Sequence, residues 1–206
     1  MAKKFMEQHN LSLNREQTIY LKRHFKRYRQ VAELVSMVPS KYLLDVGCGT
    51  GLFLLMLQRD GVGLSRPHDI AACRNRGLEA YPIDLEEDAF PFSNESFHVV
   101  TCLEVLEHLH NPNVMLREIR RVLKKDGTLF VSTPNSKMVT WKLRNIAFSF
   151  PVLTRLYIGK SVDVSDVKNY SVNDLLAVLT NCNFRVEKIV FQSIMFPQDD
   201  LLAIAH

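Results

Sequence analysis

Asp45, Gly47, Cys48, Gly49 and Gly51 carry the strongest chemical signal in the chain. They stand in Leu43-Leu44-Asp45-Val46-Gly47-Cys48-Gly49-Thr50-Gly51, where an apolar run meets an acid and then three glycines on alternate positions. The pattern predicts a buried strand, a tight turn and a helix opening through Leu52–Leu57. Glycines there let the backbone take positive φ and let a ligand reach the main chain with no Cβ in the way. The free N–H groups of the helix start favour a polar or anionic ligand end. Asp45 argues against a phosphate cradle, because a carboxylate repels phosphate and attracts an ammonium group. No Gly-Lys-Ser/Thr follows, and Leu52 stands where the dinucleotide fingerprint needs its last glycine. A second group, Glu104, Glu107 and His108, is spaced i, i+3 and i+4, which puts all three on one face if the piece is helical. His108 is the candidate general base, since imidazole titrates near neutral pH.

The elements that must position these residues follow from pattern. Residues 1–14 are polar and read as loosely ordered. From Arg15 to Val38 the apolar residues recur at helical spacing, and Pro39 closes the segment. Arg15, Lys22, Arg23, Lys26, Arg27 and Arg29 read as its solvated basic face, with a phosphate-meeting patch as the sharper reading. Strand two is the short Gly61–Leu64, followed by a helix from Ile70 to Arg76 and a third strand from Leu78 to Ile83, ending at Asp84. Strand four, Phe97–Cys102, runs into the Glu104 group. Asn111-Pro112 opens a helix, Asp126-Gly127 turns, and Thr128–Ser132 is strand five. Ser171 caps a helix through Leu179. Phe184–Phe191 and Leu201–Ala205 form an antiparallel pair around Pro197-Gln198-Asp199-Asp200.

Leu-Asp-Val-Gly-Cys-Gly-Thr-Gly at 44–51 resembles motif I of the class I S-adenosylmethionine-dependent methyltransferases. Pro91-Phe92 with Ser96-Phe97, and Thr101-Cys102-Leu103-Glu104-Val105-Leu106-Glu107-His108-Leu109 followed by Asn111-Pro112, are similar to the ubiquinone-biosynthesis O-methyltransferases and the small-molecule group around them. The likeness covers residues 41–135 firmly and 170–206 loosely. It implies an α/β Rossmann-like fold: a mostly parallel seven-stranded sheet with helices on both faces and one reversed strand near the C-terminal edge; the short Gly61–Leu64 departs from the family and leaves open a truncated second strand. It implies S-adenosylmethionine as cofactor, with the methionine end over Gly47, Cys48, Gly49 and Gly51, Asp45 orienting it, and backbone near Leu103 completing the grip. Asp84 and Leu85 match the positions that meet adenine. The ribose acid of the family's Gly-Val-Asp pattern falls on Gly63, and Asp69 lies beyond Pro67. In these relatives the Glu104, Glu107 and His108 positions are associated with a divalent metal; Glu107 equally reads as a partner of Arg117 or Arg120, and the metal stays open.

Two parts are expected, a helical N-terminal extension (1–40) and a cofactor-binding domain (41–206) whose insertion at 136–170 lids the acceptor site. That insertion mixes large apolar residues with Lys137, Lys142, Arg144, Arg155 and Lys160, which suits an apolar or lipid-linked acceptor or peripheral contact with a membrane. The expected reaction is methyl transfer to a hydroxyl oxygen of a small acceptor. The rival is a non-catalytic binding or regulatory protein, drawn from Gly63, the short second strand and His98. The absence of Asn-Pro-Pro-Tyr after strand four takes weight from nucleobase amines, and a net charge of +4 over 206 residues does not demand nucleic acid. Cys48, Cys73, Cys102 and Cys182 show no metal spacing and point to a reducing, cytoplasmic setting. Neither acceptor identity nor oligomeric state follows from these residues.

Overall fold

The parallel sheet is built from strands whose alternate residues serve opposite faces. The computed structural model describes residues 1–39, 42–135, 167–192 and 200–206. Its strands are β1 (Tyr42–Val46), β2 (Asp60–Ser65), β3 (Glu79–Pro82), β4 (Phe97–Leu103), β5 (Leu123–Pro134), β6 (Val186–Gln192) and β7 (Asp200–Ala205). The helices are α1 (Ala2–Gln8), α2 (Arg15–Ser36), α3 (Leu52–Leu57), α4 (Pro67–Asn75), α5 (Pro112–Val122) and α6 (Val172–Asn181). Among the described residues the sheet has seven strands in the order β3-β2-β1-β4-β5-β7-β6. β7 alone is reversed, pairing antiparallel with both β5 and β6. The expected α/β architecture is therefore present.

Side-chain parity sorts the core. Leu44, Val46, Val62, Leu64, Val100 and Cys102 face α5 and α6, where Met115, Leu116, Ile119, Leu175 and Leu179 are fully buried. Leu43, Val99 and Leu202 face α2, α3 and α4, meeting Tyr28, Val31, Val35, Phe53 and Cys73. Each such side chain contributes about 1.5–3 kcal/mol by leaving water. The caps match the sequence: Asn111 accepts from Asn113 N–H at 3.3 Å, and Ser171 and Asp174 form a capping box.

Four expectations need correction. The N-terminal stretch is not loose: α1 buries Phe5 against Leu21 and Leu52. β2 is not truncated; it spans six residues and pairs with β1 from Tyr42↔Asp60 to Val46↔Leu64. (Pro67 opens α4 at its first position, where its missing N–H costs nothing, so Asp69 stands at a helix start, one of the two readings its place beyond Pro67 allows.) Asp126-Gly127 does not end an element; Lys124–Gly127 bulge from β5 within a register shift against Phe97 and Val99. Finally, Arg27 is not on a solvated face but 1% exposed. The insertion at 136–166 and the turn at 193–199 lie outside the described residues.

Candidate active site

The expected place for a ligand crevice is the carboxyl ends of β1 and β4, where neighbouring connections leave in opposite directions and open α/β sheets take their ligands. Gly47, Gly49 and Gly51 all have positive φ, of 76°, 52° and 80°. Gly47 and Cys48 donate their N–H groups to the carbonyl of Leu64 at 2.8 and 3.0 Å, which bends the chain over the end of β2. A Cβ on Gly47 would collide with Val105, and one on Gly51 with Leu78. A Cβ on Gly49 would meet nothing within 4 Å among the described residues, so that side of its backbone is open to a ligand, while its carbonyl accepts from Cys73 Sγ at 3.2 Å.

Asp45 is 3% exposed and paired in register with Gly63 on one side and Thr101 on the other. Thr101 Oγ1 donates to Asp45 Oδ1 at 2.6 Å, while no donor reaches Oδ2 among the described residues. Burial pushes the carboxyl up to about 7, opposed by the Thr101 hydrogen bond. A buried carboxylate with a vacant oxygen beside an open main chain suits an ammonium group.

Ser65, the last residue of β2, donates its hydroxyl to Asp69 Oδ2 at 3.1 Å. Asp69 lies in the first turn of α4, 14% exposed, with Arg66 Nε at 3.8 Å and His68 Nε2 at 3.5 Å. The Ser65 carbonyl accepts from Ile83 N–H at 2.9 Å, which ties the ends of β2 and β3 together and brings Asp84 beside them. Asp84 is exposed, accepts from Glu86 N–H at 2.9 Å, and closes a turn in which its own N–H meets Asp88 at 2.8 Å. Leu85 packs half-buried against the core. Gly63 is not an acid position at the rim. Two residues short of the strand end, it faces Cys48 and Leu54, and any Cβ would strike Cys48 Sγ.

The segment after Leu103 departs from helical spacing. Leu103 ends β4, 7% exposed. Glu104 takes a left-handed φ of 58°, and only Leu106–His108 form a single 3₁₀ turn. Glu104, Glu107 and His108 therefore share no helical face. The Glu104 carboxylate accepts from Ser132 Oγ at 2.8 Å and pairs with Arg27 at 2.9 Å. Glu107 is buried; it accepts from Thr133 Oγ1 at 3.2 Å, and its carbonyl takes the N–H groups of Val167 and Lys168. Among the described residues no cluster of three or more His, Cys, Asp or Glu is placed to hold a metal ion, so the suggested metal set does not fit. His108 stands half-buried at the carboxyl end of β4, its N–H bonded to Val105.

Arg27, Thr101, Ser65, Ser132 and Asp200 belong to this region, and motif reading passed over them. Arg27 bridges Glu104 and Asp200 and also bonds His24. Its signal was available: Arg27, Val31 and Val35 recur at i, i+4 and i+8, on the buried face.

A glycine turn over a parallel sheet, with a buried acid beneath it, defines an α/β protein built for a nucleoside-type ligand. Residues 20–166 match a family described as a methyltransferase domain, and the chain belongs to that family. It is 37% identical over 127 residues to a ubiquinone biosynthesis O-methyltransferase of Xanthomonas oryzae, covering 57% of this chain and 50% of the relative. It is 36% identical over 143 residues to the same-named protein of Xanthomonas campestris, covering 65% and 56%. The chain thus spans about half the length of the curated relatives it matches. Among solved structures, it resembles S-adenosylmethionine-dependent methyltransferases of Archaeoglobus fulgidus (TM-score 0.70, 18% identity, 93% of this chain and 99% of that one) and Thermotoga maritima (TM-score 0.69, 17%, 100% and 99%). At that identity the likeness concerns the fold. S-adenosylmethionine is the cofactor that goes with this family and fold, and the open Gly49 backbone and vacant Asp45 oxygen fit it.

Proposed function

We propose that the chain is an S-adenosylmethionine-dependent methyltransferase acting at a hydroxyl oxygen of a small or lipid-linked acceptor. The observation that carries the reading is the pairing of an unobstructed Gly49 main chain with a buried, half-satisfied Asp45. The bound cofactor supplies a methyl carbon made electrophilic by its sulfonium. Gly47, Cys48, Gly49 and Gly51 hold its amino-acid end by main chain, Asp45 accepts from the ammonium group, and backbone at Leu103 closes that side. Asp69, oriented by Ser65, receives the ribose hydroxyls in place of an acid at position 63. Asp84 and Leu85 take the adenine edge and face. Methyl transfer needs little covalent help, so most of the rate comes from holding the acceptor oxygen in line. His108 takes the hydroxyl proton as that oxygen attacks.

The hydroxyl choice is supported by the two Xanthomonas relatives, both named O-methyltransferases; the Thermotoga maritima protein is described as a possible histamine N-methyltransferase, so amines enter the test below. The rival of a non-catalytic binding protein loses two supports, since β2 is full length and Gly63 is a packing position. The extension at 1–40 and the insertion at 136–170 are proposed as the walls of the acceptor pocket. Four buried free thiols support a reducing, cytoplasmic setting. No helix among the described residues is long and apolar enough to cross a membrane; a lipid-linked acceptor would be met by peripheral contact.

The test is calorimetric titration with S-adenosylmethionine and S-adenosylhomocysteine, followed by radiolabel transfer to a panel of phenols and matched amines. Micromolar binding of both nucleosides with label on the phenols is expected. Millimolar or absent binding of both would end the reading, and label on the amines alone would move the acceptor atom to nitrogen.

A further inference from the structure

Behind the cofactor turn lies a cavity of about 520 Å³, lined by His9, Asn10, Leu11, Ser12, Leu55, Ala72, Asn75 and Arg76. It shares none of these residues with the crevice. Its volume falls within the ordinary range for small-molecule sites. One wall is the loop after α1, folded back by a 2.9 Å hydrogen bond from Leu11 N–H to the Met6 carbonyl. The other walls come from α3 and the last turn of α4.

The chemistry of the lining is one-sided. It holds a guanidinium, an imidazole, two amides and a hydroxyl, three aliphatic side chains, and no carboxylate. Arg76 forms no ion pair among the described residues; its one recorded hydrogen bond runs from Nη1 to the Thr50 carbonyl at 2.5 Å. Partial burial lowers its pKa, opposed by the neighbouring Cys73 thiol. His9 also lines the cavity, its ring packed on Phe5 with centroids 4.5 Å apart. A guanidinium with no ion pair among the described residues and an apolar strip of Leu11, Leu55 and Ala72 share one cavity.

We propose that this cavity binds a small organic anion, its acidic group on Arg76 and its apolar body against Leu11, Leu55 and Ala72. Because Arg76 also holds the Thr50 carbonyl, occupancy reaches the Gly49–Gly51 turn. The consequence for cofactor affinity rests on the methyltransferase reading; the binding itself does not.

The experiment is calorimetric titration of the full chain with 4-phenylbutyrate and its isostere 4-phenylbutylamine, with amide hydrogen exchange at residues 49–52. Saturable one-site binding of the carboxylate, at least tenfold tighter than the amine, is expected. Arg76→Gln and Ala72→Leu each weaken it tenfold or more; the second fills the cavity and leaves the Thr50 bond intact. Exchange at 49–52 slows or quickens at least twofold on saturation of the wild type, and stays unchanged in Ala72→Leu. The proposal falls if the amine binds as well as the carboxylate, if both variants bind like wild type, or if no saturable heat appears. Failure of S-adenosylhomocysteine to bind, with carboxylate binding intact, sinks the methyltransferase reading instead.

Discussion

Thr101 on β4 and Asp45 on β1 are neighbours in the parallel ladder, and the threonine hydroxyl donates to the aspartate at 2.6 Å. This one bond holds a carboxylate in place beneath the glycine turn while leaving its second oxygen without a donor. Burial outweighs the bond, and the carboxyl titrates near 7 instead of its ordinary 3.8.

The raised value fixes the sign of two pH effects. Between roughly pH 4 and 7 the folded chain keeps a proton on Asp45 that the unfolded chain gives up. Stability from this group is therefore greatest in acid and declines as pH rises through that window. Affinity for the cofactor's ammonium group runs the other way and tightens as the carboxylate forms, about tenfold per pH unit below the pKa. Titrating S-adenosylhomocysteine from about pH 6 to 8 should show that rise. Asp45→Asn should abolish it, weaken binding at pH 8 by roughly tenfold or more, and raise the melting temperature there. A flat profile in the wild type would contradict the assignment.

Arg27 links three elements, bonding Glu104 after β4 and Asp200 at the start of β7 from its place on α2. It is 1% exposed, and the two side chains it pairs with are 10% and 5% exposed. Removing the cation takes from Glu104 and Asp200 the guanidinium they share in a largely buried site, a loss of about 3–5 kcal/mol. Arg27→Met should lower the denaturation midpoint accordingly, and Arg27→Met with Asp200→Asn should recover part of the loss. Equal stability of Arg27→Met and wild type would show that the ion pairs contribute nothing net.

How far the chain could be read in advance depends on what kind of fact was sought. The turn at 45–51, the succession of elements along the chain and the β6–β7 hairpin follow from local pattern, because period-2 burial and glycine spacing are properties of the chain itself; the single reversed strand of the sheet is what the family resemblance implies. Strand ends are not. β2 stops at Ser65 because Gly47 and Cys48 bond to Leu64 and Ile83 bonds to Ser65, all contacts made across the sheet. The family's Gly-Val-Asp pattern therefore aligns its acid with Gly63, two residues inside. The Glu104 group failed for a similar reason: its spacing fits a helix, yet Glu104 turns left-handed where its N–H bonds to Ser132. Arg27 was missed because charge was weighed above its i, i+4 relation to Val31. Asp84 and Leu85 follow β3, which ends at Pro82, whereas residues 136–166 of the insertion expected at 136–170 lie outside the described residues.

Positions 63 and 69 make opposite predictions. Gly63→Asp would restore the family's letter, but its Cβ meets Cys48 Sγ and its charge would enter the core. It should destabilise by about 1–3 kcal/mol from overpacking alone, with no gain in cofactor affinity. Asp69→Asn removes the carboxylate that Ser65, at the end of β2, holds in the first turn of α4, and should weaken S-adenosylhomocysteine binding about tenfold or more, with melting little changed. Ser65→Ala should give a smaller loss. Tighter binding by Gly63→Asp would reverse the assignment.

His108 sits on the 3₁₀ turn that follows Glu104, half-buried, where a proton leaving an acceptor hydroxyl could be taken up. General-base help is worth roughly 10²–10⁴ in rate. His108→Gln preserves a hydrogen-bonding side chain of similar reach but cannot accept the proton at neutral pH. Turnover with phenols should fall about a hundredfold while affinity for S-adenosylhomocysteine stays within twofold. The remaining activity should rise with pH as the acceptor ionises unaided, and acceptors with more acidic hydroxyls should lose least. A purely structural histidine would predict another pattern: a lowered melting temperature, weakened cofactor binding, and the same fractional loss for every acceptor. The dependence on acceptor acidity therefore separates proton removal from loop support, whichever way total activity moves.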